Sequence, residues 1–199
     1  IGFSSANTFY DSFLPHLSSN NKLDWISSLG YGLGYIGGGL LFLINVLMFL
    51  YPNVFGLADQ AMAIRVSFIT VAFWWAIFSI PIYLYVPEPN VNKDITFIKS
   101  IKLGWFQIAE TFNEIKKYKY IIIFLLSYWF YIDGVDTIVK MSVDYGLSIG
   151  FESDSLITAL LLVQFVAFPA TLLYCKFGDW IGTKQAIYVS ILGYCLITI

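Results

Sequence analysis

The chain has 199 residues, of which 58% are hydrophobic and 12% charged, with a formal net charge of −2 and a mean hydropathy of +0.74. Soluble domains carry about a quarter charged residues, so this composition excludes an ordinary soluble domain and, lacking any basic excess, a nucleic-acid partner. The two cysteines, Cys175 and Cys195, form no disulfide or metal-ligand pattern and read as small apolar fillers; neither a metal nor a cofactor is expected.

A spanning helix needs about 20 mostly apolar residues. The first candidate, roughly 1–14 (IGFSSANTFYDSFL), reads as the tail of a cut helix. Complete spans are predicted at about 30–51, 66–86, 120–146 and 155–175, and another helix starts near 186 and is cut. The chain begins with Ile and ends inside SILGYCLITI, so it is expected to be a fragment. Its apolar runs are too long for barrel strands and do not alternate. The expected class is an all-α polytopic membrane protein.

Orientation follows from Lys and Arg, which accumulate in cytoplasmic loops. The connection 15–29 holds Lys22, 87–119 holds six lysines (Lys93, Lys99, Lys102, Lys116, Lys117, Lys119), and Lys176 and Lys184 bracket the last connection. The alternate connections hold Arg65 and, at 147–154, no basic residue. Nine basic residues thus fall on one side and one on the other, which predicts that the Lys-rich side, loop 87–119 included, is cytoplasmic. Within that loop Ile98, Ile101, Trp105, Ile108, Phe112 and Ile115 recur at spacings of three and four among polar residues. The pattern predicts an amphipathic helix, weakened at Gly104. It lies either on the inner membrane face or against the cytoplasmic ends of the protein's own helices. PEPN at 87–90 ends the preceding span.

The span 120–146 carries Asp133, Asp136, Lys140 and Asp144. At about 100° per residue they fall within an arc of roughly 80°, with Trp129 on the same side. Lys140 stands four residues from both Asp136 and Asp144, so it can pair with either. Charged residues inside a membrane normally face a bundle interior or a wet cavity, so this stripe predicts a helix lining a polar pathway. Asp144 at the outer interface, and Lys140 snorkelling towards it, have an alternative structural reading. Gly134 permits a local break or a close helix approach. In the second span Gly30, Gly34 and Gly38 repeat every four residues, with Gly37 on the same face and Gly32 and Gly39 on the other side. This ridge predicts close helix packing. His16, which follows Pro15 at a helix end, reads as a loop residue rather than a proton relay.

The stretch YCKFGDWIGTKQ resembles the cytoplasmic loop motif of the major facilitator superfamily. Asp179, Gly182 and Lys184 fit it, while Cys175 replaces the leading Gly and Trp180 the Arg. Gly182 permits a tight turn, and Asp179 is placed to meet helix N-terminal amides or a basic partner. FYDSFLPHL, SLGYGLGYIGGGL, FWWAIFSIPIYLYVPE, YWFYIDGVDTIVKMSVDYG and LLLVQFVAFPA resemble, in that order, the vacuole-effluxer-like (autophagy-related permease) family within that superfamily. GYIGGG is also similar to the antiporter motif of helix five, but Tyr35 stands where Pro is expected, and no antiport is inferred.

The resemblance implies a partial major facilitator fold. Residues 1–86 would close the N-terminal six-helix half with helices four (cut), five and six. Residues 87–119 would be the cytoplasmic central loop, and 120–199 would open the C-terminal half with helices seven, eight and nine (cut). It further implies no enzyme but a secondary active transporter working by alternating access, coupled to protons and moving a small solute such as an amino acid. Asp133 and Asp136 would be proton or cation acceptors, since acids less than a turn apart disfavour double ionisation. Lys140 would be their ion-pair partner or an anion contact, with Trp129 and Gln164 as further cavity residues. Tyr10 and Asp11 would serve the cytoplasmic gate. The membrane would be a bacterial plasma membrane, or a vacuolar one in a fungus. Two other readings are a non-transporting sensor or scaffold on the same fold and, remotely, an intramembrane aspartyl protease. The protease would use Asp11 and Asp133, but YIDGVD departs from the Gly-x-Gly-Asp it needs.

Overall fold

Hydrocarbon offers no water to backbone N–H and C=O groups, so a spanning segment must satisfy them internally as helix or closed barrel. The computed structural model describes residues 2–17, 22–87 and 96–198, and among these every regular element is helical, with no strand. The helices are α1 (Gly2–Leu17), α2 (Leu23–Leu50), α3 (Gln60–Tyr85), α4 (Phe97–Ile115), α5 (Lys119–Ser148), α6 (Ser153–Ile181) and α7 (Thr183–Ile197). Of these α2, α3, α5 and α6 are long and apolar enough to cross a membrane. The protein is an all-α, multi-pass membrane protein.

Each span outruns its predicted limits at one end or both. α2 begins seven residues early, at Leu23, and α6 continues six residues past 175, to Ile181. The added turns carry polar residues that lower the local hydropathy, yet helical hydrogen bonding does not stop at the hydrocarbon border. α3 begins six residues early because Asp59 caps it, its Oδ1 accepting the Met62 N–H at 2.7 Å. α1 runs through Pro15 and His16 to Leu17, although Pro15 has no N–H to give the Asp11 carbonyl. The predicted 87–90 break falls largely on residues outside the described ones, as does Lys93.

Two compact units divide the chain, Ile1–Pro87 with Glu152–Tyr188, and Glu88–Phe151 with Val189–Ile199. In the first, α2 is the hub, packing against α1, α3 and α6. The contact with α6 is made at Gly32 and Gly39, both buried, two turns apart on one face. A methyl group on Gly32 would meet the Phe168 ring at 3.0 Å, and one on Gly39 would meet Gln164 Cβ at 3.0 Å. The predicted ridge behaves differently. Gly30, Gly34 and Gly38 have no neighbour within 4 Å of such a methyl, and Gly37 touches only Trp74, at 3.9 Å. Close approach among the described residues therefore occurs on the opposite glycine face from the predicted one. The period of four finds small residues but not which of two faces has a partner.

Between α2 and α3, the Thr70 hydroxyl lies 3.0 Å from Asn45 Oδ1 and 2.8 Å from the Ser67 carbonyl, one proton shared between two acceptors. Where α6 meets α7, the Tyr174 hydroxyl donates to the Ala186 carbonyl at 2.6 Å, and Ala186 is buried against Gly178.

In the second unit, α5 is continuous from Lys119 to Ser148. Gly134 neither breaks it nor admits a close neighbour among the described residues, since a glycine inside an otherwise strong helix costs only about 1 kcal/mol. Lys116, Lys117 and Tyr118 link α4 to α5. The link stays hydrogen-bonded, with the Lys117 N–H on the Glu114 carbonyl at 2.9 Å and the Tyr118 N–H on the Ile115 carbonyl at 2.9 Å.

Gly39→Ala should strain the α2–α6 contact by about 1–3 kcal/mol, the usual cost of overpacking. Gly34→Ala, with open space around it, should be neutral or stabilise the helix by up to about 1 kcal/mol. Thermal unfolding of the detergent-purified full-length protein compares the two.

Candidate functional site

A cavity of about 570 Å³ opens between α1, α2, α3 and α6. From α1 it takes Asn7, Tyr10, Asp11 and the apolar Phe13, Leu14 and Leu17. From α2 it takes Ile26, Ser27, Tyr31 and Tyr35 together with Gly30, Gly34 and Gly38, all on one face of the helix. Ile82 and Val86 close it from α3, and Gln164 is the contribution of α6. The glycines thus have a second use: with no side chains they leave the volume that the tyrosines edge. Gln164 reaches this wall because its Cβ sits against Gly39. Leu17 ends α1 and Val86 follows the end of α3, while Gly38 lies about 22 Å along α2 from Leu23 at 1.5 Å per residue. The cavity therefore runs from the Lys22 end of these helices to about mid-span.

Chemically the cavity is aromatic and amide-bearing, and among the described residues Asp11 is its one charged lining residue. A neighbouring cavity of about 500 Å³ shares Gly34 and Gly38 and is walled by Trp74, Trp75, Phe78 and Asn45. Of the residues singled out in the sequence, the structure brings Tyr10, Asp11, Gly30, Gly34, Gly38 and Gln164 to one space. Hydropathy and motif spacing missed Asn7, Ser27 and Tyr31. The signal was present: Ser27, Tyr31 and Tyr35 stand four apart, beside the glycine ridge.

The charged stripe lies on α5, in the other unit. The Lys140 ammonium bonds Asp136 Oδ2 at 2.8 Å, both side chains being largely exposed. Lys140 thus takes Asp136 rather than Asp144. Asp133 and Asp144 are exposed and have no ion pair among the described residues. The Thr137 hydroxyl is turned back to the Asp133 backbone carbonyl at 2.8 Å and does not engage the carboxylate. Trp129 is exposed as well and stacks on Phe130 at a centroid distance of 5.9 Å.

The third group is the elbow between α6 and α7. The predicted loop is nearly all helix, and Gly182 alone turns the chain. It caps both helices at once, its N–H on the Gly178 carbonyl at 2.8 Å and its own carbonyl accepting from Gln185 and Ala186 at 3.1 and 3.0 Å. Its backbone angles, φ 90° and ψ 141°, belong to a region essentially reserved for glycine. Asp179 and Lys184 flank it, both exposed. Among the described residues Asp179 makes neither an ion pair nor a bond to helix N-terminal amides. No cluster of His, Cys, Asp and Glu able to hold a metal occurs among the described residues.

Residues 14–199 match the family described as vacuole effluxer Atg22-like. A Bacillus subtilis (strain 168) protein named as an uncharacterized MFS-type transporter, YxiO, is 35% identical over 200 residues, covering 100% of this chain and 46% of that protein. Autophagy-related protein 22 of Cryptococcus neoformans is 26% identical over 188 residues, covering 92% of this chain and 32% of that protein. Autophagy-related protein 22-1 of Penicillium rubens is 27% identical over 121 residues, covering 57% and 20%. The chain therefore spans less than half the length of these relatives. No solved structure matches.

Gly182→Ala should cost about 1–3 kcal/mol, the strain of a side chain at that backbone conformation. A lowered unfolding temperature of the full-length protein would register it, whereas Lys184→Ala, on an exposed side chain, should leave that temperature unchanged.

Proposed function

This chain belongs to the vacuole effluxer Atg22-like family of the major facilitator superfamily, and on that premise we propose that it forms part of a secondary active transporter working by alternating access. The stripe on α5 is the observation that carries this reading. A charge at the bilayer centre costs roughly 2.5–3.5 kcal/mol on insertion scales, and α5 places Asp133 and Asp136 well inside a membrane-length helix. Such residues persist where they face a wet path. In this reading Asp133 and Asp136 exchange protons or cations, Lys140 balances whichever acid is ionised, and Trp129 lines the same path.

The cavity beside α1 and α2 supports the binding half of the reading. Its volume suits a small solute, and Asp11 with the tyrosines favours one carrying an amino group, such as an amino acid. Gln164, at its mid-span end, would hydrogen-bond that solute. Tyr10 and Asp11 towards the Lys22 end of the cavity, and Asp179, Gly182 and Lys184 at the elbow, would shape the gate. In this reading residues 1–86 and 120–199 belong to two halves that rock about the path, joined by the cytoplasmic segment 87–119, a division by chain order that differs from the two compact units. The membrane would be a bacterial plasma membrane, or a vacuolar one in a fungal member, and the whole would act without enzymatic chemistry.

The test uses membrane vesicles carrying the full-length protein, a labelled amino-acid mixture, and an imposed or collapsed proton gradient. Gradient-driven flux is expected for the wild type. It should fall at least tenfold in Asp133→Asn at equal expression, which corresponds to about 1.4 kcal/mol. Equal flux in both proteins would remove Asp133 from the mechanism. Absence of flux from the wild type would favour the sensor or scaffold reading.

A further inference from the structure

The apolar face of α4 has no part in the proposed pathway, and its distribution of charge identifies what covers it. On a helical projection at about 100° per residue, Ile98, Ile101, Trp105, Ile108, Phe112 and Ile115 occupy one arc of about 100°, free of polar side chains. Five of them, Ile98 to Phe112, are 60–76% exposed. Such an array on a 19-residue helix is too large to stand in water, so it has a partner.

Three observations point to one partner. The first is tethering. Only Lys116, Lys117 and Tyr118 separate α4 from the membrane-spanning α5, a reach of at most about 11 Å. Because the link remains hydrogen-bonded, the last turns of α4 are held at the membrane surface. The second is the placement of charge around the helix. Lys102 borders the apolar arc, whereas both acids of the helix, Glu110 and Glu114, lie within about 40° of the point diametrically opposite its centre, with Lys99 beside them. No acid therefore faces the surface that the arc meets, the polarity that an anionic surface selects. The third is Lys116, whose ammonium stands over the Phe112 ring at 5.4 Å. Its stem follows an apolar side chain while its charge stays at the rim, as lysines do at a lipid interface. Trp105 near the middle of the arc adds an interface-seeking aromatic.

We propose that α4 is an interfacial helix that lays its Ile98–Ile115 face into the membrane surface beside α5 and uses Lys102, Lys116, Lys117 and Lys119 to bind anionic phospholipid headgroups. The helix fixes the position of the α5 terminus relative to the bilayer, and the lipid composition of that leaflet sets how firmly. Leu103 and Phe106 fall outside the arc and remain exposed on the polar side. They take no part in the insertion.

The proposal makes no use of transport, so its test is independent of flux. The full-length protein, with native cysteines replaced and its elution still monodisperse, is reconstituted into phosphatidylcholine bilayers with or without phosphatidylglycerol. Single nitroxide labels are introduced at Ile101→Cys, Trp105→Cys and Ile108→Cys on the apolar face, and at Gln107→Cys and Glu114→Cys on the polar face. Collision with oxygen reports lipid, and collision with a water-soluble nickel chelate reports water. Apolar-face labels are expected to favour oxygen several-fold and polar-face labels to favour nickel. The contrast should shrink several-fold without phosphatidylglycerol, or when the four lysines are changed to Gln. Low collision with both reagents on the apolar face would mean that protein covers it and would overturn the proposal, as would high nickel access there in both lipids. A contrast equal in both lipids would overturn the anionic requirement.

Discussion

A backbone amide inside hydrocarbon has no solvent to bond, and the described parts of this chain are organised around that constraint. It explains why the apolar runs are helices and why they extend past their apolar limits, since a helix ends where a cap or a glycine supplies the missing partners. Asp59 starts α3 by accepting an N–H, and Gly182 both ends α6 and starts α7. The same constraint tolerates Pro81 and Pro169 within α3 and α6, where a single lost donor leaves the rest of each helix intact.

Once helices are imposed, apolar side chains discriminate little between lipid and a neighbouring helix, so small residues decide which surfaces meet. α2 illustrates this twice. Its Gly32–Gly39 face lets Phe168 and Gln164 of α6 come to the helix surface, while the Gly30–Gly38 face leaves the space that Tyr31, Tyr35 and Tyr10 border. One glycine-rich helix thus provides both a contact and a cavity, and the contact delivers Gln164 to the cavity wall.

The extent to which this was legible in the sequence follows from the same physics. Hydropathy located all four spans because the core of a soluble domain rarely needs an apolar run of about 20 residues, whereas a bilayer does. It misplaced their ends because the turns at Leu23–Leu29 and Lys176–Ile181 are helical but polar enough to resemble loops. Glycine spacing identified α2 as a packing helix, yet nothing local in the chain says that residue 39 meets residue 164. That pairing is a long-range fact, and the period of four marked Gly30, Gly34 and Gly38 instead, which line the cavity. On α5 the arc of charges followed directly from the helical period, and so did the reach of Lys140 to either Asp136 or Asp144. Its choice of Asp136 needed side-chain geometry.

That choice makes the two central acids inequivalent. Lys140 holds Asp136 one turn away, and Asp133 makes no ion pair among the described residues. A carboxylate costs roughly 2.5–3.5 kcal/mol at the bilayer centre, and this stripe holds three acids, Asp133, Asp136 and Asp144, against one cation, Lys140. One lysine cannot neutralise all three acids of the stripe. A helix that keeps them is stable in a membrane only where water or a polar partner reaches this face. That requirement is what the transporter reading supplies and a lipid-facing structural helix does not.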